Sequence, residues 1–142
     1  MKNNGKPSEE IFDDAWKPLG KRAYVFKFED TASLRGRNKK AVFAAAQPSD
    51  RLLVHDGQTC FAEIKSTIDP VRFKFTLLRR VQGFAAASAI AAGGSYDVFI
   101  HNLSQNQWFR LPYSVIAAAK EEGRGSLTWD ELSPYSWSFP LA

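Results

Sequence analysis

The segment that decides the fold runs from Asp50 to Ser66 and reads DRLLVHDGQTCFAEIKS. Leu52, Leu53 and Val54 form an apolar run, Asp56-Gly57 is a hairpin turn signal, and Thr59, Cys60, Phe61, Ala62 and Ile64 resume strand-like sequence. A hairpin of this length returns the chain close to where it left, so Glu63 is expected near Asp50. Successive side chains alternate faces along a strand, which puts Glu63 and Lys65 on one side and Ile64 on the other. Two carboxylates and an ammonium converging on one sheet edge are costly unless a cation or a substrate phosphate balances them. Metal-assisted phosphodiester hydrolysis needs these parts. Carboxylate oxygens hold Mg²⁺, and a lysine stabilises charge or orients the nucleophile.

Length and composition bound the alternatives. A chain of 142 residues supports one domain, 1–142, with a core of its own. Hydrophobic residues at 44% and aromatics at 13% fit a globular protein rather than a disordered one. No apolar run approaches the ~20 residues of a membrane span, and the longest candidate, Phe84 to Ala92, is Ala-rich and too short. Met1 to Pro7 reads as a polar, flexible lead-in, and the stretch to Glu10 lacks the apolar core of a signal peptide, so a cytoplasmic location is expected. The single cysteine, Cys60, excludes an internal disulfide framework and a cysteine-based zinc cluster.

Charge is uneven. The net charge is +4, but Arg35, Arg37, Lys39 and Lys40 gather without an acid in residues 35–40, and Arg72, Lys74, Arg79 and Arg80 do so in 71–80. Either patch alone reads as a solvated face. Together, flanking a carboxylate cluster, they point to phosphate contacts on a polyanionic partner.

Before the hairpin, Ser8 is the expected N-cap of a helix whose first turns carry Glu9, Glu10, Asp13 and Asp14, where the helix dipole favours acids. Its apolar stripe is Ile11, Phe12, Ala15 and Trp16, and Pro18 and Gly20 end it. Ala23 to Phe28 reads as a strand and 29–46 as a long basic connection. After the hairpin, the spacing predicts a helix from Lys74 to Ala92 with Leu77, Leu78, Val81, Phe84, Ala85 and Ser88 near one face, closed by Gly93-Gly94. Tyr96 to Asn102 and Gln107 to Leu111 read as paired strands around Asn106, and Pro112 to Lys120 as a helix with Pro at its start. The aromatic tail, 133–142, is expected to pack on the body or on a partner subunit. This order gives an α/β arrangement with a mixed sheet flanked by helices.

The spacing Asp50-x12-Glu63-x-Lys65 resembles the core of the PD-(D/E)xK nuclease superfamily. Gln47-Pro48-Ser49-Asp50, the Asp56-Gly57 turn, Phe61 to Ser66, the Phe75 to Gln82 segment and Gly93-Gly94 follow in an order that resembles RecU-type Holliday-junction resolvases, over about residues 5–130. The resemblance implies a restriction-endonuclease-like fold and a Mg²⁺-dependent, structure-selective DNA endonuclease, with Mn²⁺ able to substitute. It implies that Asp50, Glu63 and the backbone carbonyl of Ile64 hold the metal, and that Lys65 positions or helps deprotonate the attacking water. Gly5-Lys6-Pro7-Ser8-Glu9 reproduces the family's spacing from a glycine to a helical glutamate, which implies Glu9 rather than Glu10 as a further ligand; the competing reading is that both are ordinary helix-start acids. Gln82 matches a family glutamine that approaches the active site, whereas Val81 stands where members often carry a histidine. The 29–46 connection is shorter than the family's junction-entering stalk. Branched DNA as partner and a homodimer, whose two sites match a near-twofold junction, follow from the same resemblance. The alternatives are a nuclease of this superfamily acting on linear or flapped DNA, and a non-catalytic DNA-binding protein.

Overall fold

The hairpin forms as its sequence dictates. β2 (Arg51–His55) and β3 (Gln58–Thr67) pair antiparallel with Leu53 opposite Cys60, and the turn places Asp56 at φ 54° and Gly57 at φ 74°. Two consecutive left-handed residues make a turn whose twist matches that of the strands it joins. The computed structural model describes residues 5–29 and 47–141. The Arg35, Arg37, Lys39 and Lys40 patch lies outside them, as does nearly all of the 29–46 connection.

Around the hairpin the chain builds a six-stranded mixed sheet. β1 (Ala23–Lys27) flanks β2, and β3 runs parallel to β5 (Tyr96–Asn102). Beyond β5 lie β6 (Gln107–Pro112) and the short β8 (Ser136–Trp137), so the tail packs on the body of its own chain. The strand order is therefore β1-β2-β3-β5-β6-β8. The central strand β5 is buried almost throughout, as a strand covered on both faces must be. One face packs Val98, Ile100, Phe109 and Leu111 against α2 (Arg80–Ala91) and α3 (Tyr113–Glu121). The other packs Ala62, Ile64, Phe99 and Trp108 against Phe12 and Trp16 of α1 (Lys6–Trp16). Cys60 belongs to this second core, where burial pushes its thiol up to about 11, and it is a packing residue. Among the described residues no helix is long and apolar enough to cross a membrane.

Three expectations are corrected. Ser8 is not the cap of α1: Gly5 holds that position, its carbonyl accepts from Glu9 N–H (3.1 Å), and Pro7 fills the first turn. Ser8 is buried instead, its hydroxyl 2.8 Å from His101 Nδ1. The helix predicted from Lys74 starts only at Arg80. Phe73 and Phe75 alternate with exposed residues, and 72–74 form β4 (Arg72–Lys74), which pairs with β7 (Ser126–Thr128) before a 3-10 turn at Phe75–Leu77. The buried face of α2 is likewise not the predicted one: Gln82 and Ala86 face inward, while Phe84 is 63% exposed. Alanines on every side of α2 give it no apolar stripe to fix its rotation.

Candidate active site

Along β3 the side chains of Ala62 and Ile64 enter the α1-side core, so Glu63 and Lys65 turn to the α2 side. Glu63 is fully enclosed, at 0% exposure. Its Oε1 accepts from Gln82 Nε2 at 2.8 Å and lies 3.7 Å from Lys65 Nζ. The Tyr96 hydroxyl sits 3.5 Å from Oε2, but its one proton is committed to the Pro48 carbonyl at 2.6 Å, which leaves Glu63 little from that contact. Asp50 arrives at the end of the hairpin just before β2, where its Oδ2 accepts the Ile64 N–H at 3.0 Å. Glu63 is pushed up from 4.5 to about 9, first by burial and then by hydrogen bonding to and repulsion from Asp50. Burial and the neighbouring carboxyl disfavour the ionised form of Glu63 even with Lys65 Nζ 3.7 Å away.

A third carboxylate lies alongside. Glu9, on α1, lines a cavity of about 480 Å³ with Asp50, Lys6, Lys27, Phe28 and Arg79. Burial, followed by repulsion from Asp50, raises its pKa, against the pull of Arg51 and Lys27. Arg51 donates to Glu9 Oε1 at 3.2 Å and grips Asp13 with two hydrogen bonds at 2.8 and 2.9 Å.

The donor set suits a hard divalent cation. Asp50 and Glu63 offer carboxylate oxygens, the Ile64 N–H beside Glu63 binds Asp50 Oδ2, and an enclosed Glu63 carboxyl crowded by a second one marks a deficit of positive charge that a cation would fill. Among the described residues no three His, Cys, Asp or Glu side chains are grouped to hold a metal ion. Mg²⁺ tolerates this, since it keeps several waters and binds through one or two carboxylates.

No protein-family model and no curated protein matches the chain. Among solved structures, the chain is similar to Hjc, a Holliday junction resolvase from the archaeal hyperthermophile Archaeoglobus fulgidus, with a TM-score of 0.58 over 95% of each chain at 10% identity. The fold is that of a resolvase nuclease. At this identity the likeness carries the fold and not the chemistry, and it does not reach the RecU type.

On that fold the sequence-predicted residues sort into groups. Lys65 and Gln82 come within ion-pair and hydrogen-bond distance of the Glu63 carboxylate, and Asp50 joins them through the Ile64 N–H. Glu9 is half-buried beside Asp50, whereas Glu10 reaches the same cavity as an exposed residue. Of the basic residues, Arg79 lines the cavity, Arg80 stands 5.7 Å over the Phe84 ring, and Arg72 and Lys74 are exposed on β4, with Lys74 3.8 Å from Asp69. Sequence reasoning missed Arg51, Tyr96 and Lys27. For Arg51 one signal existed: Glu9 and Asp13 are one helical turn apart, and such an acidic pair on a half-buried face calls for a cation.

Proposed function

We propose that this chain is a Mg²⁺-dependent endodeoxyribonuclease that resolves four-way DNA junctions by paired symmetric nicks, acting as a homodimer in the manner of RecU-type enzymes. The observation that carries the reading is the enclosed Glu63 carboxyl beside Asp50, with Lys65 Nζ 3.7 Å from it and Asp50 held on the Ile64 N–H, on a fold shared with a Holliday junction resolvase. Asp50, Glu63 and the Ile64 carbonyl would hold the ion, with Glu9 as an outer carboxylate. Bound there, Mg²⁺ supplies a Lewis acid for the scissile phosphate and lowers the pKa of water. Lys65, one-fifth exposed at its side chain, positions the attacking water and offsets negative charge building on the phosphate. Gln82 fixes the Glu63 carboxyl, because its own carbonyl accepts the Arg79 N–H at 2.9 Å and so cannot rotate away. Arg72, Lys74, Arg79 and Arg80, with the 35–40 patch, bind backbone phosphates and give shape recognition with little base readout.

The test is nicking of a labelled four-way junction with Mg²⁺ beside a linear duplex of matching sequence, using native protein and Glu63→Gln. Symmetric cuts confined to the junction and lost in the variant are expected. Cutting of both substrates would move the assignment to a nuclease of linear or flapped DNA. Tight junction binding without cutting under any divalent metal would leave a binding protein.

A further inference from the structure

Arg51 and Glu63 are the charged side chains that the fold encloses most completely among the described residues, at 2% and 0% exposure. Glu63 has a place in the proposed chemistry. Arg51 has none so far, yet its guanidinium makes four hydrogen bonds. Nε and Nη2 donate to the two oxygens of Asp13 at 2.8 and 2.9 Å, a planar fork on a carboxylate. Nη1 donates both to Glu9 Oε1 at 3.2 Å and to the Asp50 carbonyl at 3.0 Å. Glu9 and Asp13 lie on one face of α1, so a single planar group ties that helix to the residue at which β2 begins. Glu9 and Asp50 line the same cavity, and the bond from Nη1 fixes the Glu9 carboxylate there.

We infer that Arg51 is a positioning residue: anchored on Asp13, it holds the Glu9 carboxylate beside Asp50 and thereby strengthens divalent-cation binding at the Asp50–Glu63 pair. This rests on the metal-site reading above. The inference has a sign of its own. As a bare positive charge near a cation site, Arg51 would weaken binding, and its removal would tighten it. As a positioning residue its removal weakens binding, by the roughly tenfold typical of groups that orient metal ligands.

The experiment is calorimetric titration with Mn²⁺ of the native protein, Glu9→Gln, Arg51→Met and the double variant. Methionine is long and apolar enough to occupy the enclosed space. The carboxylates it frees, on side chains 30% and 33% exposed, can turn to water, so the fold is expected to survive. Arg51→Lys is the second variant: it keeps the charge but cannot make the fork and the Glu9 and Asp50 bonds together. Each single variant, Arg51→Lys included, is expected to weaken Mn²⁺ binding about tenfold, and the double variant no further than either parent, since both remove one coupled interaction. Tighter binding in Arg51→Met, native-like binding in Arg51→Lys, or additive losses in the double variant would each overturn the inference while leaving the metal site intact. Absence of Mn²⁺ binding by the native protein would instead remove the metal-site reading, and this role with it.

Discussion

A carboxyl enclosed as completely as Glu63 makes the metal-free protein sensitive to pH in a direction that can be worked out. Its ordinary pKa of 4.5 is raised to about 9 by burial and by Asp50. Between those values the native chain keeps a proton that the unfolded chain has released. The stability this proton contributes is therefore complete below about 4.5 and is lost as pH rises through about 9. Metal-free protein should show a Tm that falls across this window, with a slope from this group of at most about 1.4 kcal/mol per pH unit. Glu63→Gln, which cannot ionise and can still bond to Gln82, should flatten that slope and melt higher than native protein at the alkaline end. Scanning calorimetry at several pH values in chelator decides it; a native Tm that rises with pH would contradict the proton retained on Glu63. The same comparison separates the roles of the variant, because Glu63→Gln should gain stability at high pH while losing any metal-dependent activity.

At the scale of elements, the hairpin positions both carboxylates, and its register depends on the turn. Gly57 sits at φ 74° with open space where a Cβ would go, so a side chain there is opposed by backbone conformation rather than by a clash. Gly57→Val should cost about 1–2 kcal/mol, the usual penalty for a left-handed L-residue, read as a shift in the urea midpoint at unchanged slope. A neutral effect would mean that the turn relaxes without disturbing the strands. This hairpin is legible in sequence because its cues are local: an Asp-Gly turn and strands of period two. That locality also explains the pairing of Asp50 with Glu63, and the strands Tyr96–Asn102 and Gln107–Pro112 flanking Asn106 at φ 48°. What the sequence hides is decided at long range. Ser8 has the chemistry of an N-cap, but a histidine on β5, ninety-three residues on, takes its hydroxyl. The rotation of α2 follows from Gln82 reaching Glu63, which outweighs an alanine-rich surface with no preferred face. Arg51 looks like the polar end of a strand until α1 brings Glu9 and Asp13 onto it.

For the whole molecule, the proposed function requires a chain with a net charge of only +4 to engage a polyanion while presenting carboxylates to it. The described surface suggests a division of labour. Glu63 is enclosed and its pKa is raised to about 9, so it presents less negative charge than a free carboxylate would. Cations stand around it: Lys6, Lys27 and Arg79 line the cavity with Glu9 and Asp50, and Arg80 follows Arg79 on the exposed start of α2. If the basic residues bind and the carboxylates cut, the two functions should separate by mutation. Replacing Arg79 and Arg80 together by alanine should weaken junction binding and lower the slope of log K against log salt by roughly one for each phosphate no longer neutralised. Glu63→Gln should leave both affinity and slope at native values, because the carboxylate binds no phosphate. Fluorescence anisotropy of a labelled junction across a salt series, in chelator to exclude cleavage, measures both quantities at once. An unchanged slope in the double alanine variant would place the phosphate track elsewhere on the surface. Equal loss of affinity in Glu63→Gln would mean that the carboxylate supports the DNA-binding surface itself, and cutting and binding could not then be treated as separable.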